Sequence, residues 1–142
     1  MSDILTVTLN PALDVSAITE RVRPTSKLRC DAVQRHPGGG GINVARVLHR
    51  LGAECQAVCL LGGPSGQMLS QLLEQEGVPC VPVTIAGHTR ESFTVLESAS
   101  GQEFRFVLPG PDIHPEEIQT LMATLARQAL PKLVVGSGSL PP

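Results

Sequence analysis

The sequence predicts an α/β fold in which a parallel sheet carries helices on its faces and a small second layer of β-strands lies beside it. Three observations predict this fold. Short apolar, β-branched segments alternate with segments of helical spacing through most of the 142 residues. Glycine or proline stands at the ends of most of these segments. Two groups of strand-like segments, near residues 15–35 and 90–108, do not alternate with helices.

The first strand is predicted at residues 4–9, where apolar and β-branched residues precede an Asn-Pro pair that ends the strand. Residues 15–18 and 28–33 have short mixed patterns without helical spacing, which predicts two strands outside the main sheet. A proline and four glycines at residues 37–41 predict a turn that leads into a helix. Apolar residues then recur at helical spacing over residues 42–51, and a glycine ends the helix.

The alternation continues in the middle of the chain. A strand is predicted at residues 56–61, and Ser65 is a candidate cap of the helix that ends before Gly77. Residues 78–83 are apolar and β-branched, which predicts the next strand. The main sheet therefore has at least three predicted strands before the second group of strands outside it begins.

The last part of the chain contains a predicted hairpin, a helix and a strand. Residues 90–97 and 102–108 flank a four-residue connection whose glycine suits a hairpin. A helix begins at Pro115, and the last strand is predicted at residues 132–135. Residues 137–142 follow the carboxyl end of that strand, which is where open α/β sheets bind their ligands. The ending also suggests a larger domain that is cut short.

Composition is typical of a folded domain and disfavours several classes of function. Hydrophobic residues make up 42% and charged residues 17%, which argues against intrinsic disorder. The net charge is −2 and the aromatic residues are three phenylalanines, so we expect no nucleic-acid partner. No apolar run approaches the roughly 20 residues of a membrane helix. The first residues lack a signal-peptide pattern, so we expect no membrane partner and a cytoplasmic location.

The cysteines and histidines do not have the spacing of a metal site. We interpret the cysteines as reduced thiols of the core, in preference to a disulfide or metal role, because they form no Cys-Xaa-Xaa-Cys pair and lie in apolar segments. We interpret the histidines as surface residues. The residues concerned are Cys30, Cys55, Cys59 and Cys80, and His36, His49, His88 and His114.

The glycine run before the first helix is the strongest local indication of a ligand site. Backbone N–H groups at a helix entrance can approach a small polar ligand closely when glycines precede them. The spacing matches neither a P-loop nor a dinucleotide-binding fingerprint, so it does not indicate a nucleotide. A loose loop between two layers explains the same pattern equally well.

Several polar residues are candidates for contact with such a ligand. Asp14 and Asn43 can each form paired hydrogen bonds to a diol, or they serve as a turn residue and a helix-capping residue. Lys27 and Arg90 either bind one shared anion or are solvated surface charges. Ser139 stands in a glycine-flanked turn, but no histidine accompanies it in a nucleophile arrangement, which disfavours a hydrolase.

Five segments occur together in a characteristic order: TLNPALD at residues 8–14, KLRC at 27–30, PGGGGINVAR at 37–46, TRES at 89–92 and GSGSLPP at 136–142. Together they resemble the ribokinase-like carbohydrate kinases, and the resemblance covers essentially the whole chain. Within that family the chain is most similar to the bacterial minor 6-phosphofructokinases. KLRC, the four glycines before Ile-Asn-Val-Ala-Arg, and EFRFVLPG at 103–110 carry this closer similarity.

The resemblance implies a Rossmann-like α/β kinase domain with a β-sheet lid that closes over the sugar and forms a homodimer contact. It implies that residues 1–142 are a truncated, N-terminal part of that domain, with lid strands near 15–35 and 90–108. It further implies that an acidic residue and the glycine loop hold sugar hydroxyls, that basic residues bind the sugar phosphate or a regulatory nucleotide, and that a serine completes the substrate side. These residues are Asp14, Gly38, Gly39 and Asn43, then Arg90 and Lys27, and finally Ser139.

The function that the resemblance implies is transfer of the ATP γ-phosphoryl group to the 1-hydroxyl of fructose 6-phosphate, a step of glycolysis that uses Mg²⁺. The alternatives are a 1-phosphofructokinase, a tagatose-6-phosphate kinase or another sugar kinase, and a non-catalytic remnant that binds a sugar phosphate or dimerises. Ser92 stands where many phosphosugar kinases of the family have asparagine.

The family's Gly-Ala-Gly-Asp segment, which supplies the catalytic base, does not occur in the sequence. The same half of the family's domain builds most of the ATP site. We therefore expect that this chain contains no catalytic residue, that it binds ATP and Mg²⁺ poorly, and that it is inactive alone.

Overall fold

The computed structural model describes residues 2–142, which form two four-stranded sheets and three helices. In chain order the elements are β1 (Ile4–Thr8), β2 (Ala12–Thr19), β3 (Asp31–Gly38), α1 (Gly40–Arg50), β4 (Cys55–Leu61), α2 (Gly63–Gln75), β5 (Cys80–Thr84), β6 (Arg90–Glu97), β7 (Glu103–Val107), α3 (Pro115–Arg127) and β8 (Leu133–Gly136). None of the helices within the described residues is long and apolar enough to span a membrane.

The main sheet is parallel, with the strand order β5-β4-β1-β8. From β1 the chain moves outward to β4 and β5, and it then returns to place β8 on the other side of β1. Val7 of β1 therefore pairs with Val58 of β4 and with Gly136 of β8. Ligands of open α/β sheets bind at the carboxyl ends of the strands beside such a reversal of strand order. The site is therefore expected where β1 and β8 end.

The second sheet, here called the lid sheet, has the strand order β3-β2-β6-β7. Strands β2 and β6 are parallel, whereas the β2–β3 and β6–β7 pairs are antiparallel. The β2–β3 pairing is irregular between Ser16 and Ile18, which is typical of a β-bulge. This sheet confirms the sequence prediction of a small β layer beside a parallel α/β sheet.

Two apolar clusters hold the main sheet between its helices. On one face Ile42 of α1, together with Leu69 and Leu73 of α2, packs on β4 with no solvent exposure. On the other face Leu121 of α3 packs against Leu60 and its neighbours. Burying one such side chain contributes about 1.5–3 kcal/mol, so these contacts fix the helices on the sheet. Strand β8 is less protected, since its apolar side chains at positions 133 and 134 are more than half exposed.

The strand predicted at residues 28–33 lies instead at Asp31–Gly38. The prediction followed apolar residues, but Leu28 is exposed and precedes the strand. Pairing with β2 determines where β3 lies, since the β2–β3 ladder continues to the Gly38–Ala12 pair. Pro37 is tolerated within the strand because β3 is an edge strand of the lid sheet, where one side of the backbone has no ladder partner.

Two further predictions about single residues were wrong. Ser65 does not cap α2, because Gly62 is the N-cap residue and Ser65 lies in the first turn. Cys30 is exposed and does not belong to the core, since it lies in the loop before β3. Cys55 and Cys59 are buried as predicted, and Cys80 is half-buried. All of the cysteines are free thiols.

Candidate functional site

A cavity of about 240 Å³ lies between the glycine run and the lid sheet. Its lining includes four of the residues singled out in the sequence, Asp14, Gly39, Asn43 and Arg90. Asp14 comes from β2, Arg90 begins β6, and the other two belong to the entrance of α1. The fold therefore brings together residues that are up to 76 positions apart, as the difference between residues 90 and 14 shows.

Asp14 lies in the middle of the cavity face of the lid sheet. It pairs with His36 of β3 on one side and with Ser92 of β6 on the other. Alternate residues of a strand share one face, and the strand positions 12, 14 and 16 all line the cavity accordingly. The sheet thus presents a row of polar side chains across three strands.

The two arginines of the cavity lie in the rows on either side of Asp14. Arg90 is the register partner of Ala12, in the row nearer the main sheet. Arg105 of β7 is the register partner of Thr94, in the row beyond Asp14. The carboxylate therefore lies between two guanidinium groups, which can bind an anion while Asp14 accepts hydrogen bonds from hydroxyls.

Burial raises the pKa of Asp14 above its usual range, and Arg105, Arg90, His36 and Arg46 act in the opposite direction. Arg105 has the largest opposing effect. Burial disfavours the charged form of a carboxyl group, whereas nearby positive charges favour it. The four cationic or titratable neighbours thus limit the effect of burial and support the ionised form that accepts hydrogen bonds.

The glycine run lets Asp14 of β2 and the end of β8 approach the first turn of α1. A Cβ atom at Gly38 would lie 2.1 Å from Oδ2 of Asp14. A Cβ atom at Gly40 would lie 2.5 Å from the Ser137 hydroxyl oxygen, just after β8. The Gly41 amide donates a hydrogen bond of 2.9 Å to the Ser137 carbonyl. Larger residues would push Asp14 and the end of β8 away from the helix entrance.

Asn10 links two candidate ligand-binding residues, Arg90 and Ser139. This role was not evident from the sequence. The Arg90 guanidinium donates hydrogen bonds to the carbonyls of Asn10 at 3.1 Å and Leu108 at 3.3 Å. The Asn10 side-chain amide donates to the Ser139 hydroxyl at 3.0 Å and to the Leu140 carbonyl at 3.4 Å. In the sequence, the Asn-Pro pair predicts only the end of the first strand. A polar residue directly after a buried strand was the available signal.

Ser139 lines a neighbouring cavity of about 480 Å³, and Arg90 lines both cavities. Arg90 therefore stands on the wall between Asp14 and Ser139. Within residues 2–142, the Arg90 Nε–H group is buried without a hydrogen-bond partner, and so is Oδ1 of Asn10. Both atoms are free to take part in further hydrogen bonds at this boundary.

Lys27 lies apart from these residues. It belongs to the loop between β2 and β3 and lines a surface cavity of about 280 Å³ together with Arg21, Arg23 and Arg29. Within one copy of the chain, the structure does not bring Lys27 to Arg90. Any anion that both residues bind would have to lie between two copies or involve a movement of this loop.

Arg105 and His36 are two further polar residues of the cavity lining, and the sequence alone did not indicate a role for them. Both alternate with outward-facing residues of a strand, and the β6–β7 and β2–β3 registers bring them to the cavity. The hairpin at residues 98–101 was predicted, so counting across it was an available route to Arg105.

The described residues do not offer a metal site. Among residues 2–142, no group of three or more His, Cys, Asp or Glu side chains is placed to hold a metal ion. Asp14 is the acidic residue of the cavity lining, and its nearest charged neighbours are cations. This donor set suits a polar organic anion better than Mg²⁺, which prefers carboxylate and water oxygens.

Comparison with known proteins gives consistent matches over nearly the whole chain. A family model described as pfkB family carbohydrate kinase matches residues 5–142. The chain is 49% identical over 140 residues to the ATP-dependent 6-phosphofructokinase isozyme 2 of Mycobacterium tuberculosis, which covers 98% of this chain and 41% of the relative. It is 35% identical over 139 residues to the 1-phosphofructokinase of Vibrio cholerae, which covers 97% of this chain and 44% of the relative.

Among solved structures, phosphofructokinase-2 from Escherichia coli in complex with fructose-6-phosphate matches with a TM-score of 0.93 and 42% identity. The tetrameric inhibited form of the same enzyme matches with the same TM-score. Each match covers 100% of this chain and 47% of the other chain. The chain thus spans less than half the length of the relatives it matches.

Proposed function

The chain belongs to the pfkB family of carbohydrate kinases, and on this basis we propose that its cavity binds the phosphosugar substrate of an ATP-dependent 6-phosphofructokinase. The complete reaction would transfer the ATP γ-phosphoryl group to the 1-hydroxyl of fructose 6-phosphate. The observation that carries the proposal is the position of Asp14 and the glycine run beside Arg90 and Arg105 in one cavity. A phosphosugar has hydroxyls at one end and a dianion at the other, and the lining offers both kinds of partner.

Each residue has a defined part in this proposal. The Asp14 carboxylate accepts hydrogen bonds from sugar hydroxyls, and Asn43 with the backbone at Gly38 and Gly39 fixes the same end of the sugar. Arg90 binds the phosphate by charge-assisted hydrogen bonds, and Arg105 contributes a second positive charge. The lid sheet covers the sugar and keeps water away from it.

Ser139 would complete the phosphate end of the site. Its hydroxyl lies beside Asn10 in the cavity that adjoins Arg90. A small rotation would let this hydroxyl donate to a phosphate oxygen held by the guanidinium group. Lys27, in contrast, lies in a basic loop with Arg21, Arg23 and Arg29, and we assign it to a regulatory nucleotide or to the phosphate in a second copy.

The proposed contribution of this chain is positioning, because the chemical step needs groups that these residues do not supply. None of the aspartates of the sequence stands in a Gly-Ala-Gly-Asp segment, and within residues 2–142 no group of three or more His, Cys, Asp or Glu side chains is placed to hold a metal ion. ATP would supply the phosphoryl group and Mg²⁺ would neutralise its charge, but we assign neither a site within residues 2–142. Since these substrates are cytoplasmic metabolites, we infer a cytoplasmic location.

Calorimetric titration with four sugars tests the proposal. We expect fructose 6-phosphate to bind more tightly than fructose 1-phosphate, tagatose 6-phosphate and fructose. Asp14→Ala should abolish binding of all of them, whereas Arg90→Lys should weaken only the phosphorylated sugars. The exposed Asp112 outside both cavities provides a matched control, and Asp112→Ala should bind like the wild type. Equal affinity for all four sugars, or no binding, would contradict the proposal.

A 1-phosphofructokinase is the second candidate, because such an enzyme is 35% identical to the chain. The 49% identity to a 6-phosphofructokinase favours the first candidate. The same titration separates them, since a 1-phosphofructokinase site would prefer fructose 1-phosphate. A non-catalytic remnant would bind a sugar phosphate equally well, so this titration does not distinguish it from the first candidate.

We also propose that the outer face of the lid sheet forms a homodimer contact. Phe104 and Phe106 alternate with Arg105 along β7 and therefore lie on the face away from it, where Phe104 pairs with Val95. Phe106 is 56% exposed, which is unusual for a phenylalanine in a sheet and typical of an interaction surface. Light scattering after size exclusion should show a dimer that Phe106→Glu separates. Leu130→Glu changes another exposed apolar residue and should leave the dimer intact.

A further inference from the structure

Thr89 lies where the chain passes from the main sheet to the lid sheet. Strand β5 ends at Thr84 in the main sheet, and β6 begins in the lid sheet at Arg90. Thr89 is only 3% exposed, although it belongs to a connecting segment. A buried polar residue in such a segment needs hydrogen-bond partners to offset its loss of contact with water. Its partners therefore indicate what holds this junction.

The first turn of α2 provides these partners. The Thr89 N–H donates to the Gly62 carbonyl at 2.9 Å, and the Gly62 N–H donates to the Thr89 hydroxyl oxygen at 3.0 Å. The Ser65 hydroxyl donates to the Thr89 carbonyl at 2.5 Å. Helix α2 is itself packed on the main sheet through Leu69 and Leu73. Three hydrogen bonds thus attach Thr89 to a rigid part of the main layer.

Arg90 follows directly and begins its strand, so its backbone has ladder partners on one side only. Its guanidinium group reaches back to the Asn10 carbonyl at the end of β1. That contact and the burial of Nε require residue 90 to stay in a fixed position relative to the main sheet. The register with Ala12 fixes Arg90 within the lid sheet, and the neighbouring Thr89 attaches this segment to the start of α2.

We infer that Thr89 is a positioning residue: its hydroxyl holds the Arg90 guanidinium at the boundary of the two cavities and thereby sets the preference for phosphorylated over unphosphorylated sugars. The ligand preference rests on the proposed function, whereas the positioning of Arg90 does not. Gly66 supports the arrangement, because a Cβ atom at this position would lie 2.8 Å from the Thr89 hydroxyl oxygen.

The test compares Thr89→Val, which keeps the shape and removes the hydroxyl, with Thr89→Ser, which keeps the hydroxyl. The first readout is hydrogen exchange of the Arg90 Nε–H resonance in the NMR spectrum, assigned by its loss in Arg90→Lys. Losing one buried hydrogen bond corresponds to about a tenfold change in an equilibrium. We expect exchange about tenfold faster in Thr89→Val and nearly unchanged in Thr89→Ser. Ser65→Ala should give an intermediate value with little risk of unfolding.

The second readout is the ratio of the dissociation constants for fructose and fructose 6-phosphate. Thr89→Val should lower this ratio about tenfold, because only the phosphate end of the ligand depends on Arg90. Thr6→Val is the matched control, since Thr6 is also fully buried but its hydroxyl has no partner within the described residues. Thr6→Val should alter neither readout.

The outcomes separate the two proposals. Equal Nε–H exchange in Thr89→Val and Thr6→Val would overturn the inference, whatever the sugars do. Unchanged discrimination between the two sugars in a folded Thr89→Val protein would also overturn it. If the wild-type chain does not distinguish fructose 6-phosphate from fructose, the proposed function fails, and the exchange data still decide the role of Thr89.

Discussion

Gly38 and Asp14 are so close that the residue type at position 38 decides whether the carboxylate keeps its place. We predict that Gly38→Ala lowers sugar affinity at least about tenfold and destabilises the fold by about 1–3 kcal/mol, because the added Cβ overlaps Oδ2 of Asp14. Gly136→Ala is a suitable control, since an added Cβ there meets nothing within 4 Å. Titration and denaturant unfolding measure both effects. Wild-type affinity in Gly38→Ala would contradict the described geometry.

The cysteines differ in accessibility, and this difference predicts their reactivity. Cys30 is exposed, whereas burial raises the pKa of the Cys55 thiol. The hydrogen bond with Cys80, followed by burial, raises the pKa of Cys59 well above its usual range. Because the thiolate is the reactive form, Cys30 should react with a thiol reagent well before Cys55 and Cys59. The rapid phase should disappear in Cys30→Ser, and its persistence would show that another of the thiols is accessible to the reagent.

Some residues of the site could be predicted from the sequence, and others could not. Asp14, Gly39, Asn43 and Arg90 were predicted from motifs, and the structure places them around one cavity. Arg105 was missed because its position depends on strand register across two neighbouring strands. Register is a property of pairing and has no local sequence motif apart from the turn that joins the strands. The roles of all these residues stay predictions until ligand binding is measured.

At the scale of elements, an ion pair fixes the orientation of α1 relative to α2. Arg46 of α1 donates two hydrogen bonds of 2.7 Å to the carboxylate of Glu76, which caps the C-terminus of α2. It also donates one of 3.0 Å to the Pro37 carbonyl, directly before the glycine run. Both side chains are partly buried. The pair therefore supports the helix entrance that lines the cavity.

We predict that Glu76→Gln lowers the free energy of unfolding at neutral pH by about 1–3 kcal/mol, as expected for a charge-assisted hydrogen-bonded pair. The hydrogen bond from Arg46 lowers the pKa of Glu76 below its usual 4.5. Its contribution is therefore present above about pH 4.5 and is lost as the pH falls through the lower pKa of the folded state.

Denaturant unfolding at several pH values measures this effect. The wild type should lose stability below pH 4.5 more steeply than Glu76→Gln does. Glu74→Gln on the same helix is the control, because Glu74 is exposed. Parallel stability curves for the wild type and Glu76→Gln would show that the ion pair contributes nothing to the pH dependence.

Elements whose ends carry glycine or proline were predicted well. The glycines after α1 and α2 end both helices close to the predicted positions, and Pro115 begins α3 as expected. Strand β3 was displaced because the lid sheet has an open face, so its apolar residues do not mark a buried side. Periodicity predicts an element only where one of its faces is buried.

At the scale of the whole molecule, alternation of strands and helices was sufficient to predict the parallel sheet, because parallel neighbours require crossover connections. Composition did not predict which strands join the lid sheet. The β2–β6 pair is parallel and joins residues almost 80 positions apart, so local pattern carries little information about it. The strand-like segments that do not alternate with helices predicted a second layer, and the structure has a second, smaller sheet.

We predict that the chain has no measurable phosphoryl-transfer activity by itself. It lacks the Gly-Ala-Gly-Asp segment and a group of side chains that holds a metal ion within residues 2–142. A coupled assay of ADP release with ATP, Mg²⁺ and fructose 6-phosphate measures this. Turnover that depends on Asp14 and exceeds the background would contradict the prediction. Binding of the sugar phosphate without turnover would agree with it.

The pairing of β1 with β8 has a consequence for how the molecule forms. Asn10 and Ser139, which meet beside these strands, are 129 positions apart. Contacts of such long range raise the contact order and slow folding, since the intervening chain must be ordered before they give any stabilisation. Because β8 follows β4 and β5 in the sequence, β1 can pair with β4 before β8 has been synthesised. The contact between Asn10 and Ser139 should therefore form later than the pairing of β1 with β4 and of β4 with β5.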